Sequence, residues 1–194
     1  MLPPPTAPPE EAAGTLLPAL RAARLRAILF DMDGVLADSE PFMVEATRRL
    51  FREKHGLDPQ PADFLPFFGT GEAGFFGGVA RALGVELDFG PDRLRIYEHY
   101  REAIGERVPL LHGEGLTAGP LVALPGAREL VLAAREAGLR VAVATSASLL
   151  KASITLERIG IPPPLFDAVV TAGDITRNKP DPEVFLVAAS RVGA

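Results

Sequence analysis

The sequence contains no cysteine, carries no excess of positive charge and has no long apolar run. The lack of cysteine excludes disulfides, thiolate metal sites and a cysteine nucleophile, and it is typical of a reducing, intracellular compartment. A net charge of −5 with scattered basic residues argues against a nucleic-acid surface. No stretch approaches about 18 apolar residues, so we expect no membrane contact from these residues. Hydrophobic residues make up 47% of the 194, which is enough for a substantial core.

The first 24 residues differ in texture from the rest. "MLPPPTAPPEEAAG" holds five of the 19 prolines and shows no apolar periodicity. This composition predicts a disordered lead-in or linker over residues 1–24. A targeting segment is the alternative, although Glu10 and Glu11 count against it because such peptides avoid acidic residues.

Three short apolar segments predict buried, parallel strands: Ala27–Phe30, Val141–Thr145 and Asp167–Ala172. Helical patterns precede the second segment and separate it from the third. This order predicts an α/β fold with a Rossmann-like parallel sheet.

The long stretch between the first two strands has a helical texture. We therefore predict a core formed by residues 25–41 and 121–194, with residues 42–120 inserted as a helical cap. Open α/β folds bind ligands at the carboxyl edge of the sheet, and we expect the cap to stand over that edge.

Two aspartates directly follow the first strand, in "FDMDGVLADSE". Asp31 and Asp33 do not form an EF-hand loop, which needs glycine at its sixth position and glutamate at its twelfth. Here Gly34 is fourth and Phe42 is twelfth. A helix cap combined with a turn aspartate stays open as a structural explanation for the pair alone.

Two further polar residues follow predicted strands. Thr145 ends the second strand in "VAVATSAS", and Lys179 comes after the third in "KPDPEVF". Each has a structural alternative: a helix N-cap for Thr145 or Ser146, and a solvated loop position for Lys179. Because the carboxyl ends of parallel strands share one edge, we expect these residues to converge with Asp31 and Asp33.

This set of side chains suits phosphoryl transfer. Asp31 can attack phosphorus as the nucleophile, while Asp33 serves as general acid and base. Thr145 and Ser146, with the amides of the following helix, would bind the phosphate oxygens, and Lys179 would offset their charge. A Mg²⁺ ion held by Asp31 and the carbonyl of Asp33 would complete the neutralisation.

The motifs "LFDMDGVLADSE", "VAVATSAS" and "KPDPEVF" resemble, in order and spacing, those of the haloacid dehalogenase superfamily over residues 26–192. The resemblance implies a Mg²⁺-dependent phosphomonoester hydrolase that forms an aspartyl-phosphate with a small phosphorylated metabolite. It also implies a helical cap like that of β-phosphoglucomutase-like members. Sugar-phosphate mutases of this kind carry a histidine where this chain has Phe42 and Met43, which favours hydrolysis over the mutase alternative.

The cap segment "FLPFFGTGEAGFFGGVA" looks like the phosphatase-like domain of the chloroplast suppressor-of-quenching proteins. That resemblance implies a location in the chloroplast stroma and other domains of a longer chain as partners. It also carries an alternative function, namely a non-catalytic module of a thylakoid-associated protein.

Gly69, Gly71 and Gly74 in this segment spell the G-x-G-x-x-G of dinucleotide sites. No convincing strand precedes them, as that fingerprint requires, and no P-loop lysine follows. We predict instead a cap loop above the active site, in which Gly69 and Thr70 contact the substrate. Simple helix punctuation is the alternative.

The remaining expectations concern histidine and the metal. His55, His99 and His112 are isolated and are interpreted as solvated residues. Members of the superfamily carry a fourth acidic motif that completes the Mg²⁺ shell, and it does not occur before Ala194. We therefore expect either a fragment of a longer protein or an impaired enzyme.

Overall fold

A computed structural model of the chain describes residues 25–109 and 117–194, together with residues 18, 20 and 21. The lead-in predicted for residues 1–24 therefore lies almost wholly outside the described residues. Leu20 is partly buried and packs against the main hydrophobic core.

A run of helices follows the first strand, and strands and helices alternate in the last third of the chain. In order, the elements are β1 (Ala27–Phe30), α1 (Glu40–His55), a 3-10 helix (Pro61–Phe67), α2 (Gly71–Ala82), α3 (Phe89–Ala103), β2 (Val108–Pro109), β3 (Thr117–Ala118), α4 (Ala127–Glu136), β4 (Arg140–Ala144), α5 (Leu149–Arg158), a 3-10 helix (Pro163–Leu165), β5 (Ala168–Val170), a 3-10 helix (Ala172–Asp174) and α6 (Glu183–Val192).

The three predicted strands form one parallel sheet in the order β1-β4-β5. Phe30 lies opposite Val143, and Ala144 lies opposite Val170. Residues 141–144 of β4 are fully buried, as expected of a central parallel strand covered on both faces. The predicted α/β class with a parallel sheet is confirmed.

Residues 40–103, which we call the inserted helices, lie between β1 and β4 in sequence. α1 packs against α3, and Phe51 and Tyr100 are both fully buried there. The segment predicted as helical at Pro61–Phe67 is a 3-10 helix, and it contains Pro66, which has no amide hydrogen to donate. The antiparallel pair β2–β3 was not predicted, because two-residue strands leave no periodicity in a sequence.

The turn after β1 determines where the two aspartates point. The Met32 carbonyl accepts hydrogen bonds from the amides of Leu36 at 2.9 Å and Ala37 at 3.2 Å. Gly34 has a φ of 75°, a left-handed conformation that favours glycine. Met32 is fully buried, whereas Asp31 and Asp33 on either side of it remain partly exposed. The turn therefore presents both carboxylates at the carboxyl end of β1.

Candidate active site

A cavity of about 470 Å³ lies between the carboxyl ends of the strands and the inserted helices. On the sheet side it is lined by Asp31, Asp33, Thr145, Ser146, Lys151 and Lys179. The four residues predicted to converge therefore line one cavity.

The helices of the described chain are all too short or too polar to cross a membrane.

Asp31 is held beside a cation. The Lys179 ammonium lies 2.7 Å from Asp31 Oδ1, which also accepts a hydrogen bond from the Met32 amide at 2.7 Å. Lys179 further donates to the Ala144 carbonyl at 3.2 Å and lies over the ring of Phe185 at 5.0 Å. It is therefore a fixed cation rather than the solvated loop lysine of the alternative interpretation. Asp31 Oδ2 accepts no hydrogen bond from the residues that the structure describes, and the side chain is 32% exposed.

Asp33 is held more tightly, by a residue that sequence reasoning missed. The Lys151 ammonium donates to Asp33 Oδ1 at 2.9 Å and to Oδ2 at 2.8 Å, and Ser39 Oγ donates to Oδ1. Burial of Lys151 is the largest single influence and favours the neutral amine, but Asp33, Tyr100 and Glu40 together outweigh it, so the pKa of Lys151 is raised. Lys151 lies in the first turn of α5, after the end of β4. That position was the available signal, but a lysine on an amphipathic helix is ordinarily solvated.

Thr145 and Ser146 both face the cavity, with different surroundings. Thr145 is buried, and its Oγ1 accepts a hydrogen bond from the Ala147 amide at 3.1 Å. Ser146 Oγ is buried without a hydrogen-bond partner in the described part of the chain. Neither residue caps α5, because the N-cap is Ser148, which accepts from the Lys151 amide at 3.3 Å.

This arrangement limits what the helix amides can offer to a phosphate. The amides of Ala147 and Lys151 already donate to side-chain oxygens, and the Ser148 amide donates to Glu72. The hydroxyl hydrogens of Thr145 and Ser146 are not used by these contacts and can donate to an anion here.

The three glycines of the cap segment have local structural causes. Gly69 and Gly71 have φ values of 77° and 73° and both line the cavity. A Cβ on Gly74 would lie 2.5 Å from Thr70 Oγ1, so this position needs glycine for packing. Thr70 itself does not line the main cavity; its hydroxyl donates to the Phe67 carbonyl at 2.6 Å. Contact of Gly69 with a substrate stays a prediction, whereas Thr70 faces a smaller adjoining cavity.

A cluster of polar groups ties the inserted helices to the sheet side. Glu72 Oε1, on α2, accepts hydrogen bonds from the Ser148 amide at 3.1 Å and from the Tyr97 hydroxyl. The hydroxyls of Tyr97 and Ser148 lie 2.8 Å apart. Burial and the neighbouring Glu72 carboxylate raise the pKa of Tyr97, which keeps its phenol protonated. These contacts hold α2 and α3 over the start of α5.

The carboxylates of the cavity form an incomplete ligand set for Mg²⁺. Within residues 25–109 and 117–194, no group of three or more histidine, aspartate or glutamate side chains is placed to hold a metal ion. Mg²⁺ requires near-octahedral oxygen ligands, and both Asp31 and Asp33 are already paired with lysines. The described residues therefore do not fit a protein-built magnesium site by themselves.

The described histidines lie away from the cavity. His99 is buried, with Nε2 2.9 Å from Glu53, so the prediction that it is solvated was wrong. His55 is partly buried, and its ring centroid lies 5.8 Å from that of Phe51. Both belong to the packing of the inserted helices. His112 lies outside the described residues.

Comparison with known proteins agrees with this geometry. Residues 25–194 match the family of haloacid dehalogenase-like hydrolases. The chain belongs to this family.

Relatives of this haloacid dehalogenase-like hydrolase include a plant protein and bacterial phosphatases. It is 39% identical to the Protein SUPPRESSOR OF QUENCHING 1, chloroplastic, of Arabidopsis thaliana, in an alignment that covers 88% of this chain and 15% of the plant protein. It is 31% identical to the N-acetylmuramic acid 6-phosphate phosphatase of Pseudomonas aeruginosa, over 90% of this chain and 71% of that enzyme. Both expected resemblances, to the family and to the plant protein, are confirmed.

The fold is also shared with solved structures. CbbY from Rhodobacter sphaeroides, in complex with phosphate, superposes with a TM-score of 0.70 over 88% of this chain and 73% of that protein. Its sequence identity is 24%, so this likeness concerns the fold alone.

Proposed function

We propose that the protein hydrolyses the phosphomonoester of a small phosphorylated metabolite through an aspartyl-phosphate on Asp31. The observation that carries the proposal is the contact between Asp31 Oδ1 and the Lys179 ammonium, 2.7 Å long, in a cavity shared with Thr145 and Ser146. Similarity to curated phosphatases, including a hexitol phosphatase of Escherichia coli at 31% identity, supports the same reaction class.

The first step transfers the phosphoryl group to the protein. An Asp31 carboxylate oxygen attacks phosphorus, the bond from phosphorus to the ester oxygen breaks, and its electron pair leaves with that oxygen. Asp33 enters this step in its protonated form and donates that proton to the departing alkoxide, which leaves as the alcohol. In the second step, Asp33 takes a proton from water, whose oxygen attacks phosphorus and releases phosphate and free Asp31.

Repulsion between a carboxylate and a phosphate dianion opposes the first step. At 4 Å and an effective dielectric constant of 20, it amounts to about 4 kcal/mol for each charge pair. Lys179 offsets one such pair directly, because its ammonium already contacts the attacking carboxylate. Thr145 and Ser146 can donate hydrogen bonds to the phosphate oxygens, and the unpartnered hydroxyl of Ser146 is what such a role requires.

Asp33 must keep one orientation in both steps. Lys151 and Ser39 bind its carboxylate from two sides, which restrains the rotation of the side chain. This restraint supports its role as the general acid and base, since proton transfer needs hydrogen-bond distance to the ester oxygen and then to water.

Mg²⁺ dependence stays a prediction, with the Asp31 carboxylate and the Asp33 carbonyl as the expected ligands. These two groups cover part of an octahedral shell, so the remaining ligands would be water and phosphate oxygens. Phosphate release measured with Mg²⁺ and with a chelator tests it, and equal rates in both would contradict the dependence.

Hydrolysis is favoured over the mutase reaction by Met43. Met43 lines the cavity, and a thioether cannot move protons between sugar hydroxyls as a histidine can.

A chloroplast location is likewise a proposal, supported by the similarity to the chloroplastic plant protein.

The deciding experiment replaces the nucleophile. Phosphate release from a panel of phosphorylated metabolites is compared between the wild type, Asp31→Asn and Asp88→Asn. Asp88 is an exposed aspartate outside the cavity, so its variant controls for loss of one carboxylate. We expect Asp31→Asn to lose activity by at least about 1,000-fold and Asp88→Asn to retain it.

The intermediate can be trapped as well. Rapid quenching followed by borohydride reduction and mass spectrometry should convert the Asp31 side chain to that of homoserine in the wild type only. Full activity in Asp31→Asn contradicts the mechanism. Inactivity of the wild type towards the whole panel would instead support the alternative of a non-catalytic module within a larger protein.

A further inference from the structure

The part of the cavity away from the aspartates is aromatic. Its wall carries Met43 from α1 and four phenylalanines from the 3-10 helix, its following loop and α2: Phe67, Phe68, Phe75 and Phe76. The ring centroid of Phe75 lies 5.6 Å from that of Phe68 and 5.5 Å from that of Phe76. Such a wall offers apolar area and ring faces to whatever group carries the phosphate.

The lysines that line the cavity already form ion pairs with the aspartates at its other end. Lys151 and Lys179 are the lining cations in the described chain, and each contacts an aspartate at 2.7–2.8 Å. The charged residues that remain in the lining are Glu40 and Glu72, both carboxylates.

Arg93 does not supply an unpaired positive charge to the main cavity. It lines the smaller adjoining cavity, where its guanidinium lies 3.8 Å from Glu72 Oε2 and 5.6 Å from the centroid of the Phe89 ring. Its charge is therefore offset by Glu72. Because the same contact offsets the charge of Glu72, a second anionic group on a substrate would meet aromatic rings and the Glu40 carboxylate, with no unpaired cation among the described lining residues of the main cavity.

We infer that the cavity selects phosphomonoesters of uncharged alcohols that carry an aromatic ring, and rejects substrates with a second phosphate or a carboxylate. This inference rests on the proposed function and specifies its substrate class. The volume of about 470 Å³ accommodates a ring together with the phosphate.

The test uses three probes with similar alkoxide leaving groups: benzyl phosphate, 4-carboxybenzyl phosphate and ethyl phosphate. We expect kcat/KM for benzyl phosphate to exceed each of the other two by about tenfold or more. A ratio near one for either comparison, or a preference for the carboxylated probe, overturns the inference. A preference for the carboxylated probe would indicate that Arg93 binds its carboxylate.

A charge-only variant locates the selectivity. Glu72→Gln keeps an acceptor for the Ser148 amide and the Tyr97 hydroxyl but removes the negative charge. The ratio of kcat/KM for 4-carboxybenzyl phosphate to that for benzyl phosphate should rise by about tenfold. Glu86→Gln, an exposed cap position with the same change of charge, should leave this ratio at the wild-type value. If this ratio of kcat/KM values is the same in the wild type, Glu72→Gln and Glu86→Gln, then Glu72 does not cause the discrimination against the carboxylated probe.

Binding provides a readout that does not depend on turnover. Benzylphosphonate and 4-carboxybenzylphosphonate cannot be hydrolysed, and their affinities for the wild type can be measured by calorimetry. Tighter binding of benzylphosphonate, by about tenfold, without hydrolysis of any ester contradicts the proposed function alone. Equal affinities, or no binding of either, overturn the inference.

Discussion

Replacing Lys151 by methionine removes one charge from the most buried ion pair of the site. Methionine keeps an unbranched stem of similar reach, so the change acts mainly on the ammonium that contacts Asp33. The Lys151 side chain is 10% exposed and that of Asp33 is 25% exposed. In the variant, the Asp33 carboxylate keeps the hydroxyl of Ser39 but loses its counter-charge.

The expected loss follows from the distance and the burial. Two unit charges 2.8 Å apart attract by about 6 kcal/mol at an effective dielectric constant of 20. Removal of one member of a buried pair typically lowers stability by about 3–5 kcal/mol. Because a quarter of the Asp33 side chain can be hydrated, we expect the lower end, about 3 kcal/mol.

The free energy of unfolding is measured by urea titration at pH 7, followed by circular dichroism. Arg191→Met is the matched control: its partner Asp174 is 25% exposed, as Asp33 is, but the Arg191 side chain is 42% exposed. We expect that control to lose about 1 kcal/mol. The double variant Lys151→Met with Asp33→Asn should regain most of the loss, because no unpaired charge is left.

The pH dependence has a definite sign. The pKa of Lys151 is raised above its ordinary value of 10.5, so its contribution is fully present below that pH and is lost as the pH rises above it. On the alkaline side, the stability difference between the wild type and Lys151→Met should therefore narrow above about pH 10.5. A loss no larger than that of Arg191→Met, or no recovery in the double variant, would refute this reasoning.

Two further predictions concern packing and charge. Gly78→Ala should lower stability by about 1–3 kcal/mol, because the new Cβ would lie 2.3 Å from the Phe67 ring. Gly77→Ala is the control and should be neutral or slightly stabilising, since its Cβ would meet only the end of the Arg81 side chain, at 3.4 Å. Equal urea midpoints for the two variants would show that this packing does not matter. Burial, and secondarily Asp33, raise the pKa of Glu40 above 4.5, so its ionised form opposes folding at neutral pH. Glu40→Gln should raise the urea midpoint at pH 7. This gain should shrink as the pH falls through the raised pKa of Glu40 towards 4.5, because the folded wild-type carboxyl takes up its proton in that range; a gain independent of pH would contradict this.

Local sequence patterns were enough to predict the sheet and the residues at its carboxyl edge. Short apolar runs are local signals of buried strands. When such strands pair in parallel, their carboxyl ends lie at the same edge of the sheet. Asp31 and Lys179 could therefore be placed together although they lie far apart in the chain, and the structure puts them 2.7 Å apart. The division into core and cap follows from the same local patterns and stays a prediction.

The groups that hold these residues in place could be identified only from the packed fold. Lys151 binds Asp33 across 118 residues, and Glu72 binds the Ser148 amide across 76. Neither contact has a local pattern, because each depends on how the inserted helices and α5 pack around the cavity. A lysine or glutamate on an amphipathic helix looks alike in sequence whether it faces water or a buried carboxylate. Only the packed fold distinguishes the two, since burial is a property of the neighbours and not of the residue.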